Sequence, residues 1–230
     1  MIIKHLSHSG FVVEDEKNVF IFDATRPIDL PNQGKNIYLF ASHSHRDHFS
    51  LEAMENLSQK EKVHFILSAD ISQKIFKSKL ASLFFLKPYE TITIDGVDIS
   101  TYGSTDLGNS YLVSVNGKSY FHSGDLNWWH WEKRMTPTQL KNEELNFKKE
   151  VDLLKGKSID FAFIPVDPRL EEYAYLAMNY FIKTVNFKYI IPMHSFGQYG
   201  FYKDLESHLD LGGTTLLNVE RENQILYNEK

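Results

Sequence analysis

The chain has 230 residues, 42% of them hydrophobic, with a formal charge of −5 and no cysteine. That length and apolar content suffice for one domain, 1–230, with a sizeable core, whereas the charge gives no general pull toward nucleic acid or an anionic membrane surface. The lack of thiols excludes disulfides and a closed thiolate zinc knot. No apolar stretch reaches about 18 residues, and Met1-Ile2-Ile3-Lys4 enters a strand without a charged leader, so a soluble cytoplasmic protein acting on a small molecule is expected.

The first fifty residues read as strands. Ile2-Ile3 opens one, residues 10–13 continue, and residues 18–23 follow the polar turn Asp15-Glu16-Lys17, giving a β-meander. His5 and His8 are three apart and would face opposite sides of a straight strand. Asp23 closes its strand, where it either orients a neighbouring ligand or begins the turn into Thr25-Arg26-Pro27. Residues 36–40 read as a buried strand, and behind it comes Ala41-Ser42-His43-Ser44-His45-Arg46-Asp47-His48. His43 and His45 project to one side of an extended backbone, while Asp47 and His48 follow where the chain turns and can face a second point. Imidazole nitrogen and carboxylate oxygen suit Zn²⁺, Mn²⁺ or Fe, so two adjacent cations sharing this loop are expected.

Further on, Ser50 caps a helix to about Gln59, residues 63–67 form a strand with a structural His64, and Asp70 with Gln73 starts a helix to about Lys79. Two hairpins follow: 91–94 with 97–101 about Asp95-Gly96, and 110–115 with 118–122 about Asn116-Gly117. In the loop 103–108 between them, Asp106 either serves as an oxygen ligand, or Ser104 or Thr105 holds a water, or the segment is a plain turn. His122 lies three residues before Asp125 and faces away from it, behind the site or in the core. Trp128-Trp129-His130-Trp131 forms either a pocket wall or lid, bringing His130 near the site, or a plug over the sheet end. Thr136, Pro137 and Gln139 open a helix to Leu154. A strand at 158–164 exits through Asp167-Pro168-Arg169, a helix spans 171–185, and a strand at 187–191, stopped by Pro192, delivers His194. The tail reads as a short helix over 202–209, with His208 facing solvent, and a closing strand at 224–227.

His-x-His-x-Asp-His, with Gly124-Asp125 and Pro192-Met193-His194 after later strands, resembles the signature of the metallo-β-lactamase superfamily of metal-dependent hydrolases. The resemblance runs over nearly the whole chain and implies an α/β, four-layer αββα sandwich of two mixed sheets flanked by helices. Leu6-Ser7-His8-Ser9-Gly10-Phe11 is similar to the Gly-His-Ser/Ala opening of the L-ascorbate-6-phosphate-lactonase-like branch, which makes His8 a residue behind the ligands. The resemblance further implies that Asp125 bridges two metals and that His194 is the last histidine ligand. It fails at 103–108, where relatives carry a third histidine for the first metal and this chain has none.

The expected centre therefore holds metal one on His43, His45 and Asp125, with Asp106 as a possible addition, and metal two on Asp47, His48, Asp125 and His194. Zn²⁺ is foremost among the two divalent ions, with Mn²⁺ or Fe as alternatives. A bridging hydroxide would cleave an ester, lactone or phosphodiester of a small anionic substrate, with Asp47 carrying the proton to the leaving group. Arg169 either receives the substrate anion or pairs with Asp167 or Glu172. The alternative reading, motivated by the missing histidine, is a non-hydrolytic protein, di-iron redox or degenerate metal-binding.

Overall fold

Runs of Val, Ile, Phe and Tyr joined by tight turns favour sheets, and the computed structural model, which describes residues 1–30, 34–72 and 82–229, contains two. The strands are β1 (Ile2–His5), β2 (Phe11–Glu14), β3 (Asn18–Phe22), β4 (Asn36–Ala41), β5 (Val63–Ser68) and β6 (Leu83–Leu86), then β7 (Thr91–Ile94), β8 (Val97–Tyr102), β9 (Ser110–Val115), β10 (Lys118–His122), β11 (Ser158–Pro165), β12 (Asn186–Met193), β13 (Thr215–Leu216) and β14 (Ile225–Asn228). One sheet has the order β14-β1-β2-β3-β4-β5-β6 and the other β13-β12-β11-β10-β9-β8-β7. In the first, pairing is antiparallel from β14 to β3 and parallel from β3 to β6. In the second it is antiparallel from β7 to β10 and parallel from β10 to β13. Both hairpin turns place their two central residues at positive φ, 49° and 80° at Asp95-Gly96 and 50° and 72° at Asn116-Gly117, the backbone that their chemistry favours.

Alternation along the strands builds the layers. Phe20, Phe22, Tyr38, Phe40 and Ile66 join Tyr111, Tyr120, Phe161 and Phe163 in the core between the sheets. Their neighbours Ile21, Leu39, Phe65 and Leu67 face outward onto helix α1 (Leu51–Leu57) through Ala53, Met54 and Leu57. Helices α2 (Pro137–Asp152) and α3 (Leu176–Thr184) cover the other sheet, with the rings of Phe121 and Phe181 5.8 Å apart and those of Phe147 and Phe181 5.5 Å apart. This is the αββα arrangement. Among the described residues no helix is long and apolar enough to cross a membrane.

Local signals held at the helix starts: Ser50 accepts the Ala53 N–H, and Thr136 with Gln139 forms a complete capping box. His64 ties the sheets together, its Nδ1 2.7 Å from Ser82 Oγ and its Nε2 3.0 Å from Asp95 Oδ2. His208 is exposed and stacks on Tyr175, centroids 4.2 Å apart.

Four expectations are corrected or fall outside the described residues. The helix expected over 171–185 is a 3-10 segment, Pro168–Tyr175, followed by α3, because the Asp167 side chain accepts the Arg169 N–H at 2.9 Å and starts a turn early, and Glu171 breaks it at φ 55° and ψ −127°. The tail helix is two 3-10 turns, Tyr199–Tyr202 and Leu205–His208. β12 runs through Pro192, which is tolerated because β13 pairs only with Tyr189 and Ile190 and leaves an edge at that point. The helix expected from Asp70 to Lys79 lies largely outside the described residues; Asp70 itself accepts the Ser44 N–H at 2.8 Å.

Phe163 is fully buried and packs 4.3 Å from the Phe11 ring, centroid to centroid. Replacing it by alanine leaves a cavity between the sheets, and Phe163→Ala should lower the unfolding free energy by about 3–5 kcal/mol in urea titration.

Candidate metal centre

The carboxyl ends of neighbouring strands converge on one edge of the sandwich, where loops are free to present side chains. Asp23 follows β3, the histidine loop follows β4, Asp125 follows β10, Asp167 follows β11 and His194 follows β12. Two sets of ligand-type atoms result, His8, Asp47, His48 and His194 in one, and His43, His45, Asp106 and Asp125 in the other, the atoms of each lying within 4.8 Å of one another. Asp125 faces both. Its Oδ1 is 3.1 Å from His48 Nε2 and 3.2 Å from His194 Nε2, and its Oδ2 is 3.7 Å from His43 Nε2. His45 Nδ1 lies 3.0 Å from His43 Nε2 and 3.4 Å from Asp106 Oδ2.

His48 Nε2, His194 Nε2 and Asp125 Oδ1 are buried without a hydrogen-bond partner. Buried polar atoms are ordinarily paired, so converging bare lone pairs of nitrogen and carboxylate oxygen fit a cation held between them.

The opposite ring nitrogens explain why those lone pairs are bare. Asp23, fully buried after β3, accepts His48 Nδ1 at 2.7 Å, the Ser42 hydroxyl at 2.7 Å and the Ser42 backbone N–H at 2.7 Å. The single Ser42 hydroxyl proton is thus given to Asp23, so Ser42 Oγ accepts from His43 Nδ1, 3.0 Å away. His194 Nδ1 donates to Asp167 at 3.1 Å. His43, His48 and His194 therefore all carry a proton on Nδ1 and turn Nε2 toward the cluster, the orientation that a carboxylate or hydroxyl behind a ligand imposes. Burial alone would raise the Asp23 carboxyl, but the adjacent His122 and His48 imidazoles and the hydrogen bonds from His48 and Ser42 outweigh it and hold it below its ordinary range. Asp167 is likewise held low: hydrogen bonds from His194 and Arg169 overcome its burial. Ser42 and Asp167 escape sequence reasoning as orienting groups. The available signal is an acid immediately beyond a buried strand, a position that Asp23, Asp125 and Asp167 share.

The loop 103–108 is pressed against the histidine loop. Asn109 N–H donates to Ser42 O at 2.8 Å, and Gly108, at φ 73°, sits so close that an added Cβ would lie 2.0 Å from Ser42 O. This contact carries Asp106 to His45. Ser104 serves the turn instead, its hydroxyl accepting the Asp106 N–H at 3.2 Å, and Thr105 donates to the Asn127 carbonyl at 2.6 Å.

His122 lies in the core behind the site: Gly124 N–H donates to its Nδ1 at 3.2 Å, its Nε2 donates to Ser9 O at 2.8 Å, and its ring stacks on Phe22. His130 is a correction. It turns away from the His and Asp cluster, with Nε2 2.8 Å from Glu132 Oε2 and its ring 4.1 Å from that of Tyr173, contacts that hold it outside the cavity. Trp129 and Trp131 stack in parallel 5.9 Å apart and wall a cavity of about 360 Å³ shared with Asp47, Asp106, Asp125 and Arg169. Trp128 packs inward on Phe147, so the aromatic run is both wall and plug. Arg169 pairs with Asp167, Nε to Oδ1 at 2.9 Å, but Asp167 is fully buried, so this is no surface pair.

The chain matches no protein-family model. Among solved structures it is similar to a metallo hydrolase of the hyperthermophilic archaeon Ignicoccus hospitalis, 17% identical over 100% of both chains with a TM-score of 0.64. A metallo-β-lactamase-fold protein of Bacillus subtilis is 11% identical over 95% of this chain and 90% of its own, at a TM-score of 0.61. A diiron β-hydroxylase of Streptomyces venezuelae is 12% identical over 97% of this chain and 53% of its own, at a TM-score of 0.62. These likenesses establish the metallo-β-lactamase fold.

Gly108→Ala should cost about 2–5 kcal/mol, from the left-handed backbone together with the clash on Ser42, and chemical denaturation measures it.

Proposed function

We propose that the chain is a metal-dependent hydrolase of the metallo-β-lactamase superfamily with two divalent ions. The reading rests above all on the bare, buried Nε2 atoms of His48 and His194 converging on Asp125 Oδ1. His43, His45, Asp106 and Asp125 hold one ion, and Asp47, His48, Asp125 and His194 the other, so a carboxylate takes the place of the absent third histidine. Zn²⁺ is the leading ion, with Mn²⁺ or Fe as alternatives. Two such cations supply a nucleophile from water near neutral pH and polarise the oxygen of the bond to be broken.

The chain's own groups do the rest. Asp125 holds both cation positions through its two oxygens. Asp47, half-buried at the cavity and held ionised by the adjacent His8, would take the proton released by the attacking water on a carboxylate oxygen and pass it to the leaving group. Trp129 and Trp131 present an apolar wall that keeps water off the substrate. The bond is an ester, lactone or phosphodiester in a small anionic molecule. Two divalent ions offset the charges of Asp47, Asp106, Asp125 and Glu143 around the cavity, so an anion is not repelled, and the Arg169 guanidinium lines the same space. Support for the lactonase-like branch is the opening segment Leu6–Phe11 alone, and a cytoplasmic setting is consistent with the absence of cysteine.

A second reading is favoured by one observation. His43, His45, Asp106 and Asp125 make a set of two histidines and two carboxylates, a nitrogen and oxygen donor set that iron also accepts, so a di-iron redox protein is the rival. Elemental analysis of purified, reconstituted protein should find about two ions per chain, with His194→Ala and Asp106→Ala each retaining about one. Colourless zinc or manganese with turnover of a bis-nitrophenyl phosphate or a generic ester supports the hydrolase; bound iron with redox-sensitive absorbance supports the rival, and no metal at all sinks both. Arg169→Ala should raise KM for an anionic ester about tenfold while leaving a neutral ester of similar size within about twofold. Equal losses on both substrates would assign Arg169 to holding Asp167 and His194.

A further inference from the structure

Within the two sets of ligand-type groups, His8 is the histidine whose Nδ1 accepts from a backbone amide. It sits in the turn after β1 at φ 49°, and its ring centroid is 4.3 Å from that of His194 and 4.3 Å from that of Phe196. Its carbonyl accepts the His194 N–H at 3.3 Å. Its Nδ1 accepts the Phe196 backbone N–H at 3.4 Å. A backbone amide only donates, so Nδ1 carries no proton, and a neutral imidazole then carries its proton on Nε2. That Nε2 is buried without a hydrogen-bond partner, and it faces Asp47 Oδ2 3.3 Å away.

The contrast with its neighbours lies at Nδ1. His43, His48 and His194 donate from Nδ1 to Ser42, Asp23 and Asp167 and turn an Nε2 lone pair toward the cluster. His8 accepts at Nδ1, so the atom it turns toward Asp47, His48 and His194 is an N–H. Proximity alone would count it as a ligand; the tautomer sets it apart. Asp47 lies on a turn with its side chain 39% exposed, so it needs such a restraint.

We propose that His8 is a positioning residue and not a metal ligand: its Nε2–H, unpartnered and 3.3 Å from Asp47 Oδ2, is the donor that holds that carboxylate as it turns toward the cluster. Phe196 completes the clasp. Its N–H sets the His8 tautomer, and its ring is covered by the Arg169 guanidinium, whose carbon is 4.2 Å from the ring centroid. The turn carrying His194 and the loop carrying Asp47 are thereby joined through one imidazole. The inference rests on the two-metal reading of the cluster, since positioning matters only if Asp47 serves that cluster.

Long-range ¹H–¹⁵N correlation spectra of histidine-labelled protein, recorded metal-free and with two equivalents of zinc, test it directly. His8 resonances are identified by their loss in His8→Gln. The expected result is a bare Nδ1 and a protonated Nε2 on His8 in both states, with Nδ1–H on His48 and His194 and their Nε2 resonances moving when zinc is added. A proton on His8 Nδ1 with Nε2 shifting on zinc overturns the proposal. If no histidine responds to zinc, the two-metal reading fails instead, while the metal-free spectrum still reports the His8 tautomer. Zinc titration of variants gives a second readout. His8→Gln, whose amide N–H can donate to Asp47, should keep the weaker zinc Kd within about threefold of wild type, whereas His8→Phe, which cannot donate, should weaken it by about 10–100-fold. Equal large losses in both variants, or none in His8→Phe, would overturn the positioning role.

Discussion

Asp125 is the constraint on which the site depends. A carboxylate with its oxygens in van der Waals reach of three histidine Nε2 atoms, buried at the end of β10, is out of water and without a hydrogen-bond donor on Oδ1. Such an arrangement is unfavourable unless something positive lies between the groups. The sandwich makes the juxtaposition unavoidable: β4 and β12 belong to different sheets, and β10 delivers Asp125 between the loops that follow them. The two-metal proposal is the physical resolution of that crowding, because cations convert mutual desolvation into coordination.

Rigidity comes from a layer of anions behind the histidines. Asp23 grips His48 and Ser42, and through Ser42 also His43, while Asp167 grips His194 and is itself gripped by Arg169. Each bond fixes a ring plane and a tautomer together, so the position of a lone pair is settled before any ion arrives. The glycines at 108 and 124 serve the same end. Both lie against Ser42 with positive φ, at distances a side chain would not permit, and they let two loops close on the histidine loop from either side.

Legibility in the sequence followed the range of the interaction. The hairpins at Asp95-Gly96 and Asn116-Gly117 and the cap at Thr136 are decided within a few residues, and they folded as their chemistry indicates. The cluster His43, His45, Asp47 and His48 was visible because spacing alone carries it. The partners of those residues were not: Asp23 lies 25 positions from His48 and Asp167 lies 27 from His194, and no local pattern distinguishes an acid that orients a ring from one that opens a turn. The short β6 and β13 left no periodicity to read, and the helix expected over 171–185 fails because the Asp167 side chain, drawn to its own turn as well as to His194, redirects the chain before the apolar pattern begins.

The two ligand sets differ in solvent access, and this asymmetry bears on how the proposed enzyme works. Each set joins buried histidines to a carboxylate 39% exposed, Asp106 beside His43 and Asp47 beside His48 and His194, and the difference lies at His45, whose side chain is 48% exposed. Exposed ligands are re-solvated cheaply, so in the two-metal proposal the ion beside His45 exchanges the more freely. Members of both sets line the cavity, His45 and Asp106 with Asp47 and His194, beside the wall of Trp129 and Trp131. In that proposal a substrate there faces both ions, with Asp125 between them. Under the same proposal Asp106 does more than fill the place of a histidine: it would put a carboxylate, with its charge and its preference for harder cations, beside the exposed His45 at the cavity.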